Sequence, residues 1–194
     1  MKAAFVLLAG AALASAQTVY FIRHGEKPSN DSDPNLSAQG LQRAQCLRTV
    51  FGASSQYDIG YIIAEKPKGK CRSVQHHWLF CEMALKLTQS NSDDSRLRPL
   101  DTVTPLAQDL GLTVDTSCGK TKSDCVADLV NNYTGAGNIL ICWEHGELTN
   151  IADAIGINPA PTYPDGSFNL IWTSPAPHTS VTSITSENCP GLDS

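Results

Sequence analysis

The sequence predicts an α/β fold built on a layered sheet. Three observations carry this expectation. Short β-branched and aromatic runs alternate with segments of helical spacing. Residues 18–22 (TVYFI), 57–64 (YDIGYIIA) and 138–143 (NILICW) are almost continuously apolar, as strands buried on both faces are. Glycines stand where two helices should stop, at Gly111 and Gly156.

Residues 18–22 read as the first strand and run into Arg23-His24-Gly25-Glu26-Lys27-Pro28. A polar stretch, 29–34, follows. Ser37 can cap the next helix, where Leu41, Ala44, Leu47 and Val50 fall at helical spacing. Residues 57–64 form the second strand. Residues 102–110 and 124–133 read as helices, and 138–143 as a third strand ending in Glu144-His145-Gly146-Glu147. A helix over 148–155 and strands over 168–172 and 181–184, joined by Pro-rich links, complete the chain. In such sheets ligands sit at the carboxyl ends of strands. Arg23-His24 and His145 both fall at such ends.

The chain has 194 residues, enough for one domain with a sizeable core. Its net charge is −5 and no Lys/Arg cluster is visible, so nucleic acid is not an expected partner. Residues 1–16 (MKAAFVLLAGAALASA) have a basic start at Lys2, an apolar stretch and a small-residue end at Ala14-Ser15-Ala16. That is the pattern of a secretory signal peptide. It leaves a single domain over 17–194, an extracellular location and no membrane span.

Secretion changes how the seven cysteines read, because oxidising compartments favour disulfides. Cys118 and Cys125 close a short polar loop and are the expected pair. The odd total leaves a thiol free or paired with another chain. Asn30-Asp31-Ser32, Asn35-Leu36-Ser37 and Asn132-Tyr133-Thr134 are glycosylation sequons, which places all three at the surface. Gly119-Lys120-Thr121 lacks the upstream glycine of a phosphate loop, and no GxSxG elbow exists.

A strand running into Arg-His-Gly has a physical logic. Glycine lets the backbone approach a ligand. The arginine fork suits phosphate oxygens. Neutral imidazole is a competent nucleophile toward phosphorus. A second histidine beyond another strand can stabilise the transferring phosphoryl charge.

Four separated motifs stand in one order. They are Phe21-Ile22-Arg23-His24-Gly25-Glu26, and Leu36-Ser37-Ala38-Gln39-Gly40 with Arg43-Ala44. Then come Arg98-Pro99-Leu100-Asp101-Thr102, before Pro105-Leu106-Ala107 and Leu110-Gly111-Leu112, and Trp143-Glu144-His145-Gly146. On these the chain resembles the histidine phosphatase superfamily, also called phosphoglycerate mutase-like, and most of all its short secreted fungal members of branch one. The resemblance spans about residues 18–156. It implies a three-layer α/β/α sandwich with a mostly parallel central sheet.

The resemblance also implies a metal-independent phosphatase without cofactor, hydrolysing a small phosphomonoester through a phosphohistidine on His24. Arg23 and Arg98 would bind the phosphoryl oxygens, Arg98 being followed by Thr102 at the family's spacing. His145 would complete the pocket, and Gly25 would approach the substrate. The general acid stays open: Asp109, Asp115, Asp124, Asp128, Glu26 and Glu144 are candidates, none in a recognisable motif. That gap supports the alternative of a catalytically silent, anion-binding secreted member. A mutase shares the chemistry, but a signal peptide and a short chain with little room for a substrate cap argue against it. A disulfide-stabilised interaction protein has only the cysteines and sequons behind it. Trp172, His178 and Cys189 in the Pro/Thr/Ser-rich tail read as packing residues.

Residues 64–97 lengthen a connection that the family keeps short. Cys71, His76, His77 and Cys81 have zinc-ligand chemistry, but adjacent histidines point apart. A helical insertion is a second reading. The favoured one is a retained intron over about 70–92, because codons for Gly69-Lys70-Cys71 can spell the splice donor GTAAGT. Within this region Arg72 and Arg96 rival Arg98; Arg72 lacks the threonine four residues on, and Arg96 sits beside Arg98 in Arg-Leu-Arg-Pro. Sequencing the transcript across codons 60–100 checks this: a splice that removes the segment is expected, and an uninterrupted read-through would exclude it.

Overall fold

A computed structural model describes residues 17–30, 32–68 and 96–193. Residues 1–16, expected as a signal peptide, and the 70–92 segment with its cysteines, histidines and Arg72 lie outside the described residues. In chain order the elements are β1 (Thr18–Arg23), α1 (Ala38–Val50), β2 (Ile59–Ala64), α2 (Arg98–Leu110) and β3 (Val114–Asp115). Then follow α3 (Ser123–Asn132), β4 (Asn138–Trp143), α4 (His145–Ile155), β5 (Leu170–Pro175) and β6 (Ser183–Ser186).

The six strands form one sheet in the order β3-β2-β4-β1-β5-β6. The four strands from β3 to β1 are parallel, while β5 and β6 are antiparallel additions at one edge. Strand alternation sends apolar side chains to both faces. Phe21, Ile63, Ile139, Ile141 and Trp143 pack on α3 and α4 through Val126, Val130, Leu148 and Ile151. Ile22, Ile62, Ala64, Leu140 and Cys142 pack on α1 and α2 through Leu47, Val103 and Leu106. The result is the expected α/β/α sandwich with a mostly parallel centre.

Gly111 and Gly156 end their helices in the left-handed region, at φ of 66° and 118°. Ser37 caps α1, its Oγ accepting from the Gly40 amide at 3.1 Å. Two helices begin earlier than periodicity predicts: α2 at Arg98 rather than 102, and α4 at His145 rather than 148. α2 opens with Arg98-Pro99 and α4 with His145-Gly146-Glu147, where proline and glycine read locally as loop residues. The predicted strand over 168–172 starts at Leu170 instead, and Phe168 leaves the sheet. The last strand, expected over 181–184, is Ser183–Ser186, and β3 is a short element the sequence did not announce.

The expected Cys118–Cys125 disulfide is present. A second, Cys46–Cys189, joins α1 to the C-terminal segment across 143 residues of sequence. Cys142 is the free thiol among the described residues and is buried. The three sequon asparagines are exposed. Among the described residues no helix is long and apolar enough to cross a membrane.

Loop-closure entropy grows with the length of chain a crosslink encloses. The Cys46→Ser/Cys189→Ser variant should therefore lose about 5 kcal/mol of unfolding free energy, against about 2 kcal/mol for Cys118→Ser/Cys125→Ser. Urea unfolding of both variants checks the order.

Candidate active site

β1 and β4 lie side by side, with Arg23 opposite Trp143. The His24 amide extends that ladder one residue further, donating to the Trp143 carbonyl at 3.1 Å. The chain then turns at Gly25, where α1 crosses closely. A Cβ on Gly25 would lie 2.9 Å from the Gly40 carbonyl oxygen, and one on Gly40 would lie 2.5 Å from that of Glu26. Only glycine at both positions allows this approach. The Ser37 amide adds a bond to the Glu26 carbonyl at 2.9 Å.

The far side of the turn is fixed by α2. The Gly25 amide donates to Thr102 Oγ1 at 2.8 Å, and that hydroxyl donates to the Arg98 carbonyl at 2.7 Å. The four-residue spacing from Arg98 to Thr102 thus connects the second arginine to the histidine turn.

His24 is buried. Its Nδ1 lies 2.7 Å from the Gly25 carbonyl oxygen. A carbonyl only accepts, so Nδ1 carries the proton and Nε2 keeps a bare lone pair. Burial, then the charges of Arg23 and Arg98, push its pKa down to about 4, against the pull of the Gly25 carbonyl. Arg23 is also buried. Its Nη1 donates to the carbonyls of Asp165 (2.6 Å) and Ser167 (2.8 Å). Its guanidinium lies 3.7 Å over the Phe168 ring, which explains why Phe168 leaves the sheet. Arg23 Nε is buried without a hydrogen-bond partner.

Arg98 and His145 are the first residues of α2 and α4, where helix dipoles are positive. Arg98 donates through Nε to the Asn35 carbonyl at 3.1 Å and through Nη2 to the Asp33 carbonyl. His145 Nε2 lies 3.1 Å from Asp165 Oδ1. Its Nδ1 is 2.8 Å from Glu144 Oε1, without hydrogen-bond alignment. Burial opposes the charge on Glu144, but the Gly146 amide and Lys120 overcome it and hold this carboxyl below its ordinary value.

The carboxylates singled out as acids are mostly engaged elsewhere. Glu26 forms a two-oxygen pair with Arg43 Nε, both at 3.1 Å. Asp109 pairs with Arg48 on the surface. Asp115 accepts from Tyr61 and Ser117. Asp128 lines a groove beside Tyr61 and Tyr133, and Asp124 sits in the first turn of α3. Trp172 is buried against Phe21 and Tyr163, His178 bonds to the Ser174 carbonyl, and Cys189 is disulfide-bonded. Glu187, Cys189 and Asp193 cluster as metal ligands would. Their chemistry does not fit that role, because the sulfur is oxidised and both carboxylates bind Arg43.

Two acidic residues were missed. Glu65 follows β2 directly, is buried, and has no hydrogen bond to either oxygen; Arg96 Nε stands 3.5 Å away. Burial pushes its pKa up to about 7, with Lys120 and Arg96 pulling back. Its place just beyond a buried strand was the signal available. Asp165 lies in the turn Pro164-Asp165-Gly166, which no spacing rule ties to His145.

No protein-family model matches the sequence, and no curated protein does. Solved structures do match. The protein histidine phosphatase SixA in complex with tungstate is 15% identical, covers 88% of this chain and 97% of its own, and superposes with a TM-score of 0.50. A mycobacterial glucosyl-3-phosphoglycerate phosphatase with inorganic phosphate is also 15% identical, with 81% and 89% covered and a TM-score of 0.48. The fold is the phosphoglycerate mutase-like α/β/α sandwich seen in histidine phosphatases.

His24 makes a pH prediction. Between pH 4 and 6.5 the unfolded chain binds a proton that folded His24 refuses, so this residue's contribution to stability rises with pH across that window. A shift from 6.5 to about 4 corresponds to about 3 kcal/mol. Raised carboxyls such as Asp101, near 6, act with the opposite sign. The difference between wild type and His24→Gln isolates the effect. Relative to wild type, the variant should gain about 3 kcal/mol on going from pH 6.5 to 4 in urea unfolding.

Proposed function

We propose that this chain is a secreted, metal-independent phosphatase that hydrolyses a small phosphomonoester through a phosphohistidine on His24. The observation that carries the reading is a buried, neutral imidazole with Nε2 bare, set among Arg23, Arg98 and His145 at the ends of β1, α2 and α4. Residues 1–16 and the two disulfides support secretion. The fold likeness to phosphatases supports the reaction class.

The phosphoryl group binds with its oxygens against Arg23, Arg98 and His145. Arg23 Nε supplies a donor that has no protein partner. Nε2 of His24 attacks phosphorus, and the Gly25 carbonyl holds the Nδ1 proton as positive charge builds on the ring. The two guanidiniums and two helix N-termini stabilise the charge on the transferring group. These fixed cations supply the field that a metal supplies in other phosphatases. Water then attacks the phosphohistidine and releases orthophosphate.

Hydrolysis of p-nitrophenyl phosphate without added metal tests this. Wild type should turn over, and His24→Ala should lose at least about 10³-fold in kcat. Wild-type kcat/KM should fall as pH drops through about 4, where the imidazole of the free protein charges. An acid-labile phosphoenzyme should form in wild type alone. Phosphate binding without turnover would instead support the silent, anion-binding alternative.

A further inference from the structure

We infer that Asp165 is the proton donor to the leaving group, and the base that activates water in the second half-reaction. This deepens the proposed function and rests on it.

The loop that carries Asp165 is anchored at both ends. Tyr163 is buried against Trp172, and its hydroxyl accepts from the Leu170 amide at 3.0 Å. Phe168 stacks on Arg23 and meets the His24 ring edge-on at 6.2 Å. The Ser167 amide closes the turn onto the Pro164 carbonyl at 3.2 Å. Between these anchors the Asp165 backbone carbonyl grips Arg23 Nη1 at 2.6 Å, and its carboxylate reaches His145 Nε2 at 3.1 Å. One residue therefore touches two members of the phosphate-binding set. The side chain itself is 97% exposed.

The geometry of displacement gives that exposure a meaning. Phosphoryl transfer proceeds in line, with attacking and leaving atoms on opposite sides of phosphorus. His24 is buried, so a leaving oxygen opposite its Nε2 faces the solvent side. Asp165, held against Arg23 and His145 with its side chain open to solvent, lies on that side. Glu26, Asp109 and Asp115 are held by Arg43, Arg48 and Tyr61. Glu144 is pinned between Lys120 and His145, and Glu65 is buried beside Arg96. Of these described carboxylates, Asp165 is the one at the pocket with a side chain open to solvent.

The steps balance. As the His24 Nε2–P bond forms and the ester P–O bond breaks, the Asp165 carboxyl proton passes to the leaving oxygen, giving free alcohol and a carboxylate. The carboxylate then takes a proton from the water that attacks phosphorus. The P–N bond breaks, orthophosphate leaves, and Asp165 is again protonated.

Pre-steady-state bursts with two esters test the assignment on the full chain. p-Nitrophenolate leaves with little protonation, whereas phenolate needs the proton. In Asp165→Asn the burst rate should fall about 10²–10⁴-fold with phenyl phosphate, and less than about tenfold with p-nitrophenyl phosphate. Phosphoenzyme should accumulate with both, and Asp165→Glu should restore part of the phenyl phosphate rate. An equal loss on both esters would make Asp165 a positioning residue for Arg23 and His145 and overturn the proposal. An unchanged phenyl phosphate burst would overturn it as well. Thermal unfolding of Asp165→Asn, expected to match wild type for so exposed a side chain, excludes misfolding. His24→Ala run alongside separates the two readings: a burst that survives it removes the phosphohistidine mechanism itself, whatever Asp165→Asn does.

Discussion

The pairing of β1 with β4 is the constraint on which the site depends. Two apolar strands, far apart in sequence, lie parallel with Arg23 opposite Trp143. That register puts Arg23 and His24 at one carboxyl end and starts α4, with His145, at the neighbouring one. A slip by one residue would exchange the faces reached by successive side chains. Arg23 would leave Phe168 and the carbonyls of Asp165 and Ser167, and Gly25 would leave Thr102 and Gly40. Both faces of these strands are apolar, so the hydrophobic pattern alone does not hold the register; the His24 amide bond to the Trp143 carbonyl, the Gly25–Thr102 bond and the close Gly25–Gly40 approach do.

Residues that look like a signature in the sequence act as packing constraints in the molecule. Gly40 lies in α1 and has no reactive group, yet only glycine there lets α1 touch the turn behind His24. Arg43 extends this anchoring. It is buried and binds Glu26 beyond the histidine turn and Glu187 and Asp193 in the C-terminal segment. One guanidinium cannot neutralise three carboxylates. Burial pushes the pKa of the deepest of them, Glu187, up, with Arg43 opposing. Such a cluster specifies geometry more than it adds stability, since desolvation offsets much of the attraction. The Cys46–Cys189 disulfide ties the same two segments covalently. The histidine turn, α1 and the chain end thus form one unit.

The layered α/β fold was legible because strands buried on both faces leave continuous apolar runs. The strand ends pointed to Arg23, His24 and His145, and the structure brings these together with Arg98. Helix starts were less legible. The first turns of α2 and α4 carry Pro99 and Gly146, which read as loop residues beside Arg98 and His145. That blind spot hid the fact that Arg98 and His145 occupy helix N-termini. Phe168 reads as a strand residue by composition, but a cation beneath it outcompetes the sheet. Cys46 and Cys189 could not be paired from sequence, since contact across 143 residues is decided by how α1 and the last segment pack. Asp165 was hidden for a similar reason: its link to His145 exists only after the Pro-rich loop has folded back over Arg23.

The electrostatics of the pocket follow from what it leaves unsatisfied. Burying a polar donor without a partner costs roughly 1–3 kcal/mol, and Arg23 Nε is such a donor. Burial, and then the guanidiniums of Arg23 and Arg98, oppose a charge on His24 and push its pKa down to about 4. In the proposed reaction a phosphoryl group would relieve both at once. Its oxygens would satisfy Arg23, and its negative charge would offset the guanidinium part of the field that opposes a charged imidazole. The ring would become easier to make cationic at the moment it forms the bond to phosphorus, so the cations that depress the histidine without an anion would not oppose its attack with one.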